Sequence, residues 1–155
     1  MPATPPAARA TLTDPCDVAV VGAGAAGLFV ALEAAEAGGR VVLVSRKPLA
    51  ESASFYAQGG LAAAMAPDDS PARHAEDTLE AGRGLCDRGA VEALVTESPG
   101  AVQSLRRRGV RFDLQPGGEL ALGLEGGHSA RRIVHAGGAE TGRALTSRLA
   151  ELVAA

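Results

Sequence analysis

A short apolar run, Asp17-Val18-Ala19-Val20-Val21, leads into the glycine-spaced segment Gly22-Ala23-Gly24-Ala25-Ala26-Gly27, and the chain then passes at once into an Ala/Leu/Glu-rich stretch reaching about Ala37. No other feature restricts the fold as much. The β-branched run reads as a strand buried on both faces. The proline-free stretch from Ala25 reads as a helix closed by Gly38-Gly39, and Arg40 to Ser45 as a second strand. Strand, helix and strand within about 30 residues is the length of a βαβ unit with parallel strands and a right-handed crossover. At its first junction stands G-x-G-x-x-G. Gly22 permits the tight turn, Gly24 lets a pyrophosphate approach the backbone, and Gly27 lets helix and strand pack closely, with the helix N-terminus stabilising the phosphate charge. The segment predicts an ADP-containing dinucleotide, FAD or NAD. An acidic residue for the adenosine ribose is then expected at the end of the second strand. Ser45-Arg46-Lys47 stands there instead, which argues against a plain NAD dehydrogenase and leaves an Arg or Lys for phosphate or adenine. Spacing alone goes no further than a dinucleotide site.

The 155 residues are one domain's worth, and 46% apolar with 21% charged residues is an ordinary globular balance. With 15 basic and 18 acidic groups the net charge is −3, which excludes a nucleic-acid polyelectrolyte as partner. Arg106, Arg107, Arg108 and Arg111 fall where a helix would end and complement its dipole. Cys16 and Cys86 have neither metal nor disulfide spacing, so no metal site is expected and a reducing cytoplasm fits. Residues 1–15 hold four prolines and no apolar core, and read as a flexible leader rather than a signal peptide. The uncharged stretch Val18 to Leu32 is interrupted by three glycines and falls short of the ~20 residues that cross a bilayer. No membrane partner is expected.

Residues 46–70 read as a long functional loop, since Ser52 to Gly60 is small, polar and glycine-rich where compact folds prefer short connections. Helices are expected from Pro71 to about Gly82, from Asp87 as N-cap to about Glu97, and from Pro99 to Gly109. Val110 to Leu114 and Glu119 to Leu122, joined by Gln115-Pro116-Gly117-Gly118, resemble a small satellite hairpin. Arg131 to Ala136 is strand-like, and Thr141 to Ala155 is helix-like with Leu145, Leu149 and Leu152 on one face. The fold class is thus α/β: a Rossmann-like dinucleotide-binding domain over residues 16–155, with helical and hairpin segments added. One βαβ unit offers few strands for the sheet that supports such a site, and the last helix has no cap, so the chain reads as truncated.

Two further segments carry a resemblance. Ser52-Ala53-Ser54-Phe55-Tyr56-Ala57-Gln58-Gly59-Gly60-Leu61-Ala62 resembles the flavin-contacting loop of the fumarate reductase and succinate dehydrogenase flavoprotein superfamily, and its F-Y-A-Q-G-G wording is most similar to the L-aspartate oxidase family. Glu125-Gly126-Gly127-His128-Ser129-Ala130-Arg131-Arg132-Ile133-Val134-His135-Ala136 is similar to that family's E-G-G-H-S-x-x-R-I-x-H-A. The resemblance runs from Asp17 to the C-terminus. It implies FAD contacts at Gly22, Ala23, Gly24, Ala25, Ala26 and Gly27, at Arg46, and at Ala53, Ser54, Phe55, Tyr56, Ala57, Gln58, Gly59 and Gly60. Small residues in the loop let backbone N–H groups approach phosphates and ring, and Gln58 can bond the ring edge. Phe55 and Tyr56 serve packing equally well.

Relatives with covalent FAD carry a histidine where this chain has Ala53, so the resemblance implies non-covalent FAD. It also implies oxidation of L-aspartate to iminoaspartate, the first step of quinolinate and NAD biosynthesis, with oxygen or fumarate as acceptor and quinolinate synthase a partner by pathway only. Glu125 matches the residue that orients substrate, its carboxylate suited to the α-ammonium of aspartate. No catalytic residue is expected within this chain, because the family's catalytic arginines lie beyond the matching region, and the 155 residues alone are expected to be inactive. His128 and His135 are candidates for flavin or substrate contact, though a lone histidine is more often structural. Arg131 and Arg132 suit a dicarboxylate, or simply edge positions. One departure is Ala139-Glu140 before Thr141-Gly142, where relatives have an Asp and a small residue, and Thr141 is expected to take over the helix cap. Three alternatives stay open: a fumarate reductase or succinate dehydrogenase type of flavoprotein, a non-catalytic FAD-binding remnant, and a nicotinamide-binding Rossmann domain.

Overall fold

Asp17 fastens the two strands that flank the glycine turn. Its carboxylate accepts Arg40 Nε and Nη2 at 3.1 Å each and the Arg40 backbone N–H at 2.9 Å, while its own N–H donates to Arg40 O. From that clamp, β1 (Val18–Val21) and β2 (Val41–Val44) run parallel in the register Val18↔Val41 to Val21↔Val44. The computed structural model describes residues 15–49 and 51–155. The expected leader, 1–15, therefore lies outside the described residues except for Pro15. Between the strands, α1 (Ala25–Glu36) turns Leu28, Ala31 and Leu32 inward and ends at Gly38, whose φ of 89° suits the left-handed position after a helix. Strand, glycine turn, helix and parallel strand form the expected βαβ unit.

The described residues divide into two compact units, one made of the chain up to Phe55 together with the residues from Thr146 onward, the other of Tyr56–Leu145. The first holds the βαβ unit. Burial on both faces is not what β1 shows: its residues alternate between half-buried and exposed, and Val21 is 85% exposed. Alternate residues of a strand face opposite sides, and among the described residues α1 packs on β1, so one face of the strand is the covered one.

The second unit is built around a short antiparallel sheet in which β5 (Ile133–Val134) lies between β3 (Leu61–Ala62) and β4 (Leu122–Gly123). The expected loop over 46–70 is thus interrupted by β3. The turn Gln115 to Gly118 forms as expected, with Gly118 N–H donating to Gln115 O and a single bridge Leu114↔Leu120, but Leu122 leaves it to pair with Val134. The hairpin is therefore an arm of the sheet rather than a satellite. Two helices pack on each other, α2 (Pro71–Ala81), capped by Ser70 Oγ on the Arg73 N–H, and α3 (Arg88–Arg107), capped by Asp87 on the Ala90 N–H.

Sequence alone splits α3 at Pro99, yet it is one helix. Proline removes the N–H that Val95 O would otherwise accept, and Ser98 Oγ donates to that carbonyl at 3.2 Å instead. The apolar stripe Val91, Val95, Val102 and Leu105 also continues across the proline, so burial holds both halves in line. Arg106 and Arg107 fall in its last turn, as the dipole favours. The last helix, α4 (Thr141–Ala154), buries Leu145 and Leu149. Thr141 is not its cap: the hydroxyl turns back to accept the Ala136 N–H at 3.1 Å, because Thr141 already lies in the first helical turn.

Candidate functional site

In the first unit, the glycine turn presents the expected phosphate cradle. Gly22 has a φ of 106° and open space where a Cβ would point, while a Cβ on Gly27 would stand 1.9 Å from Gly22 O. Only glycine at 27 lets α1 start this close to the end of β1. Leu28 N–H already reaches Gly24 O, whereas the N–H groups of Ala26 and Gly27 have no acceptor within the helix and carry its positive end. The Ala25 N–H is taken by Ser54 Oγ at 3.1 Å, so the expected flavin loop is stitched to the dinucleotide turn through Ser54. Ala53, Ser54 and Phe55 lie in this unit, with Phe55 N–H on Ser52 O. Arg46 is exposed just past β2, and Ser45 Oγ is spent on Lys47 O at 2.7 Å. These residues fit a dinucleotide diphosphate: backbone donors at Ala26 and Gly27 and a positive helix end, with the Ser54 hydroxyl the side chain at the mouth of the turn.

Tyr56, Ala57, Gln58, Gly59 and Gly60 belong to the second unit. There an open cleft of about 490 Å³ is lined by Gln58, Gly59, Asp113, Gly123, Glu125 and His135, among others. Glu125 Oε1 stands 3.1 Å from His135 Nε2. Asp113, which sequence reading passed over, accepts the N–H groups of Gly137 and Gly138 at 2.8 and 2.9 Å and so folds the rim after β5. Nothing local marks it, because its partners lie 24 and 25 positions away.

His128 does not share this cleft. Its ring lies 5.6 Å from that of His74 and its Nδ1 is 3.4 Å from Arg132 Nη1. The reading of Arg132 as a dicarboxylate attractor is overturned. Its side chain is completely buried, with Nε and Nη2 on Asp69 at 2.8 Å each and Nη1 on Asp77 at 2.6 Å. Asp77 also accepts Ser129 N–H and Oγ at 2.7 and 2.9 Å, which binds the loop after Gly126-Gly127 to α2. Arg131 is exposed.

Burial pushes both carboxyls up, but the bonds and charge of Arg132, with Ser70 N–H for Asp69 and Ser129 for Asp77, outweigh it and hold both below the ordinary carboxylate value. His74 is shifted down, first by burial and then by the positive Arg132 and by His128. Among the described residues its Nδ1 has no hydrogen-bond partner. Asp69, His74 and Asp77 were not singled out in the sequence, because the partners that give the two acids their role lie 52 to 63 positions away.

Residues 17–155 match the FAD binding domain family. The chain belongs to that family, and FAD is its cofactor. It is 50% identical over 139 residues to the L-aspartate oxidase of Streptomyces coelicolor, which covers 90% of this chain and 24% of that protein. Among solved structures, Mycobacterium smegmatis Sdh1 in complex with UQ1 superposes with a TM-score of 0.84 at 34% identity, over 88% of this chain and 23% of that one. A mutated E. coli quinol fumarate reductase gives 0.85 at 31%, over 89% and 24%. The chain thus spans about a quarter of the length of the relatives it matches. No helix among the described residues is long and apolar enough to cross a membrane.

Proposed function

We propose that this chain is the dinucleotide-turn and flavin-loop region of an L-aspartate oxidase, which oxidises L-aspartate to iminoaspartate as the first step of quinolinate and NAD biosynthesis. The observation that carries this reading is the cleft of the second unit, where Glu125 faces the same space as Gln58 and Gly59 of F-Y-A-Q-G-G. A carboxylate there suits an α-ammonium group; a dicarboxylate without an amine gains nothing from it. The 50% identity to an L-aspartate oxidase, against 31–34% to the reductase-type structures, supports the oxidase over the reductase.

Bound FAD supplies the two-electron acceptor. Gly22 to Gly27 hold its diphosphate by backbone N–H groups and the α1 dipole, Arg46 adds a positive charge beyond β2, and residues 53–60 offer small side chains and Gln58 to the flavin. Ala53 has no nucleophile, so the flavin is held without a covalent bond. Glu125 orients substrate by its ammonium group. Oxygen or fumarate takes the electrons in the end, the enzyme is cytoplasmic, and quinolinate synthase receives the product, this last following from the pathway alone.

The test is Glu125→Gln in the complete enzyme carrying this region and loaded with FAD. Replacing the charge by an amide is expected to lower kcat/KM for L-aspartate roughly 10- to 100-fold, a charge-assisted hydrogen bond's worth. An unchanged value would remove Glu125, and with it the oxidase reading, from this cleft.

A further inference from the structure

We infer that His135 is the positioning residue for Glu125 and thereby a determinant of specificity for amino over plain dicarboxylates; the inference rests on the role of Glu125 proposed above. His135 follows β5 directly, and its ring occupies a slot made by the neighbouring backbone. A Cβ on Gly123 would lie 2.8 Å from its Cε1 and 3.4 Å from its Nδ1, and a Cβ on Gly60 would lie 3.1 Å from its Cδ2. Glycines on two neighbouring segments thus leave room for one imidazole and little freedom to turn. From that slot Nε2 meets Glu125 Oε1 at 3.1 Å. The imidazole is 24% exposed and the carboxylate 50%, so the acid stands at the mouth and the ring behind it.

A half-exposed Glu on a glycine-rich loop would otherwise spread over many rotamers. An Nε2–H donated from a fixed ring selects one of them. The other acid of the cleft, Asp113, has its two oxygens on Gly137 and Gly138 N–H. Gln58, Gly59, Gly60, Leu122 and Gly123, on the segments against the ring, carry no charge. Glu125 is therefore the charge that His135 meets. The fixed ring thus holds in place the carboxylate that an ammonium group would meet.

The experiment compares kcat/KM for L-aspartate with the inhibition constant of succinate, which has both carboxylates and no amine, in the complete FAD-loaded enzyme and in E125Q, H135A and H135Q. H135A is expected to lower kcat/KM for L-aspartate roughly tenfold while succinate binding stays within about twofold, and H135Q, whose amide can donate to Glu125, restores most of it. The inference is overturned if E125Q shifts the aspartate-to-succinate ratio and H135A does not, or if H135A moves both constants equally, as a purely structural residue would. A ratio unmoved by E125Q itself would refute the Glu125 reading instead. Should H135A fail to hold FAD, H135L, which fills the slot but cannot donate to Glu125, decides alone: an aspartate-to-succinate ratio equal to native overturns the inference.

Discussion

Arg132 and its two acids show how far one residue's meaning depends on what surrounds it. In the sequence Arg131-Arg132 is a basic pair beside a strand; in the fold one is exposed and the other is completely buried between Asp69 and Asp77. Removing one partner of such a buried pair leaves an uncompensated charge, so Asp69→Asn is expected to destabilise the protein by about 3 kcal/mol in urea unfolding. Acid should act on the same cluster. His74 is shifted down in the fold, so its contribution is complete above its unfolded value and is lost as pH falls from about 6.5 toward the lowered folded value. Asp69 and Asp77 are also shifted down, so theirs is complete above the unfolded carboxylate value and is lost only below about pH 4. Urea midpoints across pH are expected to fall in two stages, and His74→Gln to remove the first. A single stage in the carboxylate range would show that His74 does not contribute.

At the scale of elements, α3 and the α1 turn respond oppositely to small changes of backbone. Pro99 interrupts the helical ladder of α3, and Ser98 Oγ repairs one carbonyl of it. Pro99→Ala restores the N–H and is expected to stabilise the protein by about 1–3 kcal/mol, whereas Ser98→Ala alone should cost about 1 kcal/mol and little once Pro99 is gone. Additive effects in that double-mutant cycle would disprove the repair. Gly27→Ala is expected to do the reverse, since a Cβ 1.9 Å from Gly22 O forces α1 off β1. FAD affinity should fall at least tenfold, read by flavin fluorescence, because the N-terminal donors of α1 move with the helix.

For the whole molecule, the flavin is expected to leave the protein on acid precipitation, Ala53 offering no atom to bond it, and a yellow pellet would contradict this. The 155 residues alone are expected to release no hydrogen peroxide from L-aspartate. By itself the sequence determined the βαβ unit, the glycine turn, the caps at Asp87 and the limits of α2 and α4 to within a residue or two. These depend on contacts between residues near one another in the chain, where periodicity, capping and glycine conformations are local properties. It also marked Gln58, Gly59 and Glu125, which the structure lines up along one cleft. Only the tertiary structure decided that α3 runs unbroken through Pro99, that β5 collects strands from both sides, that Arg132 is a buried strut and that His135 backs Glu125. Each of these rests on a partner supplied by another part of the chain or on a stripe of burial, as in the 63 positions between Asp69 and Arg132. The two halves of the Arg132 strut share no window of sequence, and even Glu125 and His135, ten positions apart, meet only in the fold, where the energy that fixes each interaction arises.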